Sequence, residues 1–201
     1  MRKIGCLIIV VVMLLGVISC TSTSVKRVQT GTAKELTGFW NERDVDIVCS
    51  SLLNDMFTSG RYRDYVRKLD GDRPLIRVGS FRNQSDEHIE TGIVTSRMQD
   101  GIFNSGLADF VADRSFLDDL HQEQDYGLDY SAPEEAASIG NEAAPDLLLQ
   151  GTVRTIVQKS GKREVRTYYV VAQLTDVESG RIVWSGENSE ISKEVTAPSF
   201  R

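Results

Sequence analysis

The chain has two histidines in 201 residues. One of them, His88, stands in FRNQSDEHIE, Phe81 to Glu90, beside Asp86, Glu87 and Glu90. An imidazole among three carboxylates has the composition of a metal site or an acid–base pair. A metal centre, however, needs at least three convergent ligands, usually from more than one segment. The other histidine, His121, sits in DDLHQEQD, which reads as an exposed, acid-rich helix and supplies no second segment. No H-E-x-x-H, G-x-S-x-G or P-loop pattern occurs. The acids also suit the start of a helix, where the dipole favours negative charge. The stretch therefore reads first as a structural or surface loop, then as a partner contact, and last as a catalytic or metal site.

Three other groups carry chemistry-bearing residues. Arg61, Arg63, Arg67 and Lys68 form a basic run. It reads as a solvated helix face, with an anion or partner contact as the sharper alternative. Tyr168, Tyr169 and Trp184 resemble a stacking platform, yet beside Val170 and Val171 on strands they read as core. Cys49 shares one helical face with Val45, Val48, Leu52, Leu53 and Met56 and reads as a small buried hydrophobe rather than a nucleophile. No cofactor is implied by any of these groups.

The elements that must position these residues follow from periodicity and punctuation. A helix is expected over 42–57, with Asn41 as its cap. A second, short helix is expected from Tyr62 to Leu69, before the turn Asp70-Gly71-Asp72. PLIRVGSF, 74–81, reads as a strand. A helix over 91–105 should turn Ile93, Val94, Met98, Ile102 and Phe103 inward and stop at Gly106. DFVA, 109–112, reads as a short strand. Asp113 can cap a helix from Arg114 to about Gln124. Ser131-Ala132-Pro133-Glu134 has capping-box spacing and starts a helix to about Ala143.

The last third changes period. Residues 147–158, 167–178 and 182–194 read as three strands of an antiparallel meander, with Ser160-Gly161 and Ser179-Gly180 as turns. Parts of these strands are apolar at successive positions, as a sheet covered on both faces requires. The expected fold is α/β: a single domain with a mixed four- to five-stranded sheet flanked by helices on both faces.

The N-terminus reads as an address and an anchor. MRKIGCLIIVVVMLLGVISC opens with Arg2 and Lys3 and continues with a 15-residue apolar run, Ile4 to Ile18. That is shorter than the roughly 20 residues a spanning helix needs and has the pattern of a signal peptide. Val17-Ile18-Ser19-Cys20 resembles the lipobox of bacterial lipoproteins, a resemblance that implies lipidation of Cys20 after removal of residues 1–19. Two or more acyl chains hold a protein on a membrane stably. Thr21, rather than Asp, after the cysteine leans toward the outer membrane, facing the periplasm, with the cell surface as the other orientation. After processing only Cys20 and Cys49 remain, so no internal disulfide forms. Residues 20–38 then form the lipidated cysteine and a Thr/Ser/Gly-rich tether, and 39–201 the globular domain. Net charge is −6; without residues 1–19 it is 21 basic against 29 acidic, or −8. That balance gives no support for nucleic-acid binding, and whatever holds the domain at a membrane must be covalent or hydrophobic.

Several segments together resemble one family. FWNERDVDIVCSSLL (39–53), RPLIRVGSFRNQSDEHIET (73–91), NSGLADFVADR (104–114), the run from Pro145 to Gly186 and the final ISKEV are similar, in the same order, to the LpoB-type lipoprotein activators of penicillin-binding proteins. Trp40, Asn41 and Asp44, and the run Arg82 to Ile89, are the most specific parts. The resemblance implies an α/β domain similar to the N-terminal domain of TolB, with no enzymatic activity. It implies docking on a class A penicillin-binding protein, whose glycan polymerisation and crosslinking it raises, and so a role in cell-wall biogenesis. Arg82, Asn83, Ser85, Glu87 and His88 become the candidate partner-binding residues. Two other readings stand beside it: a structural or surface lipoprotein with the same fold and a different partner, and a metal-dependent hydrolase using His88.

The anchor is directly testable. Replacing Cys20 with Ala should move the protein from the membrane fraction to the soluble fraction and abolish labelling by a clickable fatty acid; labelling that persists rules the anchor out.

Overall fold

The computed structural model describes residues 38–112, 114–130 and 143–196. The expectations on residues 1–37, on Asp113 and on a helix over 131–142 lie outside the described residues.

Helix α1, Glu42–Thr58, begins where Asn41 and Asp44 satisfy each other's orphan donors. The Asn41 side chain accepts from the Asp44 backbone N–H at 3.3 Å. The Asp44 carboxylate accepts from the Asn41 N–H at 2.9 Å. Val45, Val48, Cys49, Leu52 and Met56 are buried along one stripe, with Leu53 half-buried beside them. Burial pushes the Cys49 thiol up to about 12, with nearby Asp46 adding to it. The thiolate form that a nucleophile needs is thus suppressed. Ser59 ends α1 and starts α2, Gly60–Val66, by accepting from the Tyr62 N–H at 3.1 Å. The second helix begins earlier than expected and tightens into a 3₁₀ turn at Arg67–Leu69 before the positive-φ pair Asp70-Gly71.

Strand β1, Leu75–Asn83, leads to α3, Thr91–Ser105, which Gly106 ends at φ +65°. Val94, Met98 and Ile102 face the core as expected. Ile93 and Phe103 do not: they are 51% and 71% exposed. A stripe repeating every three to four residues admits 94, 98 and 102 but not their immediate neighbours. Strand β2 is only Asp109–Phe110, and α4 runs from Arg114 to Tyr130, six residues beyond its expected end. Strands β3, Leu147–Ser160, and β4, Arg163–Asp176, form a long hairpin around Gly161 at φ +60°.

The third strand of the expected meander is two strands. Strand β5, Ile182–Asn188, and β6, Ser192–Thr196, both pair with β4, at different places along it. Between them the buried Asn188 side chain accepts from the Glu190 N–H at 3.3 Å, and Ile191 turns into the core. The ladder is bridged there by the Tyr168 N–H donating to the Ile191 carbonyl at 2.9 Å.

The sheet is mixed, in the order β2-β1-β3-β4-β5 with β6 on β4. β1 is parallel to β2 and β3; the other pairs are antiparallel. The chain moves outward from β1 to β2 through α3, then back past β1 to β3 through α4. Helix α3 packs on β1 and β2, on the same face of the sheet as α1. On the α1–α3 face lie Ile76, Val78, Leu147, Leu149, Val153, Tyr168, Val170, Ala172 and Leu174, all buried.

A bulge in β1 sets the local geometry. Val78 pairs with Leu149 and Phe81 with Gly151, so Gly79-Ser80 oppose Gln150 alone. The extra residue changes the parity of the strand and sends Phe81 into the core. Its backbone N–H reaches the Thr95 hydroxyl of α3 at 3.4 Å. Space for the Phe81 ring comes from Gly151, where a Cβ would lie 2.2 Å from the ring and 2.6 Å from the Val171 carbonyl.

Gly151→Ala should therefore cost about 1–3 kcal/mol, read as a drop of about 3–10 °C in thermal midpoint. Gly60→Ala, where a Cβ meets nothing within 4 Å, should leave the midpoint unchanged or slightly raised.

Candidate functional site

The loop that follows β1 is built from its own polar side chains. Asn83 accepts from the Ser85 N–H at 2.9 Å and from the Ser85 hydroxyl at 2.6 Å. Its amide donates to the Glu87 carbonyl at 2.7 Å. The Ser85 oxygen accepts from the Glu87 N–H at 3.2 Å. These short-range bonds fold residues 83–87 into a compact turn, as Asn and Ser side chains do when they replace backbone partners. Ile89 plugs the loop into the core, and Glu90 starts α3 by accepting from the Gly92 N–H at 3.1 Å.

Under this turn lies a clasp of paired charges. The Arg166 side chain, 10% exposed, rises from β4, donates to Asp86 at 2.7 Å and to Glu164 at 2.8 Å, and forms an ion pair with Glu87 at 2.9 Å. Glu87, 9% exposed, also accepts from the Tyr168 hydroxyl at 2.5 Å and from the Trp40 N–H at 3.2 Å. The Trp40 ring leans on the Tyr168 ring with centroids 5.1 Å apart, and the Arg166 guanidinium lies 5.4 Å from the centre of the Phe39 ring. A second buried cation completes the clasp. Lys193 of β6, 4% exposed, pairs with Asp44 at 2.5 Å and donates to the Phe39 carbonyl at 2.7 Å. Isolated charges at this depth would be very costly; pairing and hydrogen bonding offset that cost.

The proton affinities follow the contacts. The Thr155 hydroxyl, donating at 2.6 Å, and then Arg166 hold Asp86 below its ordinary value. Lys159 and then Arg166 do the same for Glu164. Burial, reinforced by the bond to Glu87, raises Tyr168.

The arrangement accounts for the residues singled out in the sequence. Asn83 and Ser85 hold the turn, and Glu87 spends its carboxylate inside the clasp. Arg82 and Asn83 at the end of β1 and His88 in the loop are exposed. The carboxylates near His88 are engaged with Arg166, Tyr168, Thr155 and backbone donors rather than gathered around the imidazole. Among the described residues no group of three or more His, Cys, Asp or Glu could hold a metal ion. Tyr168 and Trp184 are buried, the Trp184 indole donating to Asp55 at 2.9 Å, while Tyr169 is half-buried on the other face. In the basic run, Arg67 pairs with Asp64, and Arg61 and Lys68 line a cleft of about 420 Å³ shared with Arg181, Asp64 and Asp176.

The sequence reading missed Arg166 and Lys193. A signal was present: Arg166 occupies the same parity of β4 as Tyr168, Val170, Ala172 and Leu174. A charge on the inward register of a strand requires a buried partner.

A family model of the peptidoglycan-synthase activator LpoB matches residues 44–189. The chain belongs to the LpoB family, as its motifs implied. Among solved structures it is similar to the LpoB C-terminal domain from Escherichia coli at 14% identity, over 77% of this chain and 99% of that one, with a TM-score of 0.43. The C-terminal domain of LpoB from Salmonella enterica matches at 15% identity over the same shares, with a TM-score of 0.41. The lipoprotein GNA1162 from Neisseria meningitidis matches at 18% identity, over 64% of this chain and 87% of that one, with a TM-score of 0.36. No curated protein matches the chain.

The clasp predicts a contrast between neighbours. Glu87→Gln keeps the size of the side chain but leaves Arg166 short of a buried counter-charge, and should cost about 2–4 kcal/mol by urea unfolding. His88→Ala, at an exposed position, should stay within about 0.5 kcal/mol of the wild type.

Proposed function

We propose that this protein is a lipid-anchored envelope protein that docks on a class A penicillin-binding protein and raises its glycan polymerisation and peptide crosslinking. The observation that carries the reading is the match of residues 44–189 to the synthase-activator family, a span that contains the loop and most of the clasp beneath it. Cys20 carries the lipid, residues 20–38 serve as the tether, and residues 39–201 form the docking domain. The membrane is the outer one, with the domain on the periplasmic side. Among the described residues no helix is long and apolar enough to cross a membrane.

In this reading Arg82, Asn83 and His88 make the contact, while Ser85 and Glu87 hold the loop in shape for it. A loop already fixed by its own hydrogen bonds loses little entropy on docking, so more of the contact energy is expressed as affinity. The protein acts on its partner and catalyses no reaction of its own. An acidic chain also steers toward a basic partner face, so association should slow as salt rises.

The test is a solution assay. The purified full chain in detergent should raise the glycan-polymerising rate of the class A synthase of its own host and show no hydrolytic activity alone. A synthase rate that is the same with and without saturating protein overturns the activator reading in favour of a structural lipoprotein.

A further inference from the structure

The bulge in β1 opens a groove on the sheet face opposite α1 and α3. It has a volume of about 300 Å³ and is lined by Ser80, Arg82, Gln150, Thr152, Arg154 and Gln173, with Gly151 and Val171 in its floor. A second hollow of about 400 Å³ shares Ser80 and Gln150 with it and extends it past Leu148 to Arg77 and Pro145. Among the described residues, neither is lined by a carboxylate. In a chain with 29 acidic residues and a net charge of −6, a continuous surface whose described lining has three arginines and no acid is a departure from the average. The cleft beside α2 does not share this property, because Asp64 and Asp176 line it along with its cations.

The donors in the groove are incompletely used. Arg154 spends its Nε on the Gln84 side chain at 2.9 Å. Arg77 has a buried Nε with no acceptor among the described residues, an uncommon condition for a buried donor. A guanidinium presents a planar fork that matches a carboxylate bidentately. Gln150 and Gln173, paired across β3 and β4, each offer an amide donor and a carbonyl acceptor, the set that matches a peptide backbone. Carboxylate-matching forks beside backbone-matching amides describe a polypeptide ligand rather than a free anion. The groove is also continuous with the docking loop: Arg82 belongs to both, and the Arg154–Gln84 bond joins them.

We infer that this groove receives an extended, acid-bearing segment of the synthase that docks at the loop, with Arg82 and Arg154 taking its carboxylates and Gln150 and Gln173 its backbone. The inference rests on the activator reading above.

The experiment measures binding of the purified full chain to the host class A synthase by biolayer interferometry at physiological salt, where charges more than about 8 Å apart are largely screened. Arg82→Glu/Arg154→Glu should weaken binding at least about tenfold, the scale for truncating charge pairs at an interface. Gln173→Glu, which adds a carboxylate on the groove wall without touching the loop, should weaken it several-fold. Arg61→Glu/Lys68→Glu, the same charge change in the other cleft, should stay within about threefold of wild type. Thermal midpoints establish that each variant is folded. Groove variants that bind as wild type overturn the inference. So does a loss confined to Arg82→Glu/Arg154→Glu with Gln173→Glu unaffected, which reduces Arg82 to a loop contact. Absence of binding by the wild type overturns the synthase reading itself and the inference with it.

Discussion

A guanidinium that reaches almost no water must be surrounded by groups that replace it, and in this domain that requirement organises everything around Arg166. Three carboxylates, from Asp86, Glu87 and Glu164, converge on it. Two of them belong to the loop after β1, so the loop cannot leave without stranding the charge. Glu87 in turn fixes the Trp40 backbone and the Tyr168 hydroxyl. The first turn of the domain, the loop and the central hairpin are thereby one polar unit. Replacing such a unit by apolar side chains would cost little in stability, but it would lose the directional bonds that fix the shape of the loop and the presentation of Arg82 and His88.

Elements defined by local chemistry were readable from the sequence. Helix α3 runs over its expected residues because a capping acid and Gly106 bound it, and α1 starts at its expected cap because Asn41 and Asp44 form a closed box. Features that depend on distant neighbours were not readable. The break between β5 and β6 follows from Asn188 and Ile191 finding buried surroundings, and neither residue type marks a turn of that kind. The loop residues Asn83 and Ser85 act locally, but the roles of Asp86 and Glu87 depend on Arg166, whose bond to Asp86 spans 80 residues. An acid-rich loop with one histidine carries the composition of a metal site. Only the inward register of a distant arginine shows that the carboxylates are already committed.

The fold divides its work between the two ends and the two faces of one sheet. The face under α1 and α3 holds the apolar core, and the opposite face carries the polar groove. Both meet at the bulge, where one extra residue turns Phe81 into the core and leaves Gly79 and Ser80 beside Gln150. A regular strand would have continued the parity of Ile76 and Val78 and placed the next inward side chain at residue 80. The bulge therefore shapes the core and the groove together, and with the Phe81 ring turned inward Gly151 has no room for a side chain.

The place where the chain joins the domain has a mechanical consequence. Phe39 is held through its carbonyl by Lys193 and lies beneath the Arg166 guanidinium, and a Cβ at Gly38 would collide with Val195. A pull on the chain ahead of residue 38 therefore bears in part on β6, a five-residue strand that pairs, among the described residues, with β4. Tension along the polypeptide would act on the short end of the sheet. Because Lys193 also grips Asp44 and Arg166 also grips Glu87, that tension would be transmitted to the loop, making its shape sensitive to load.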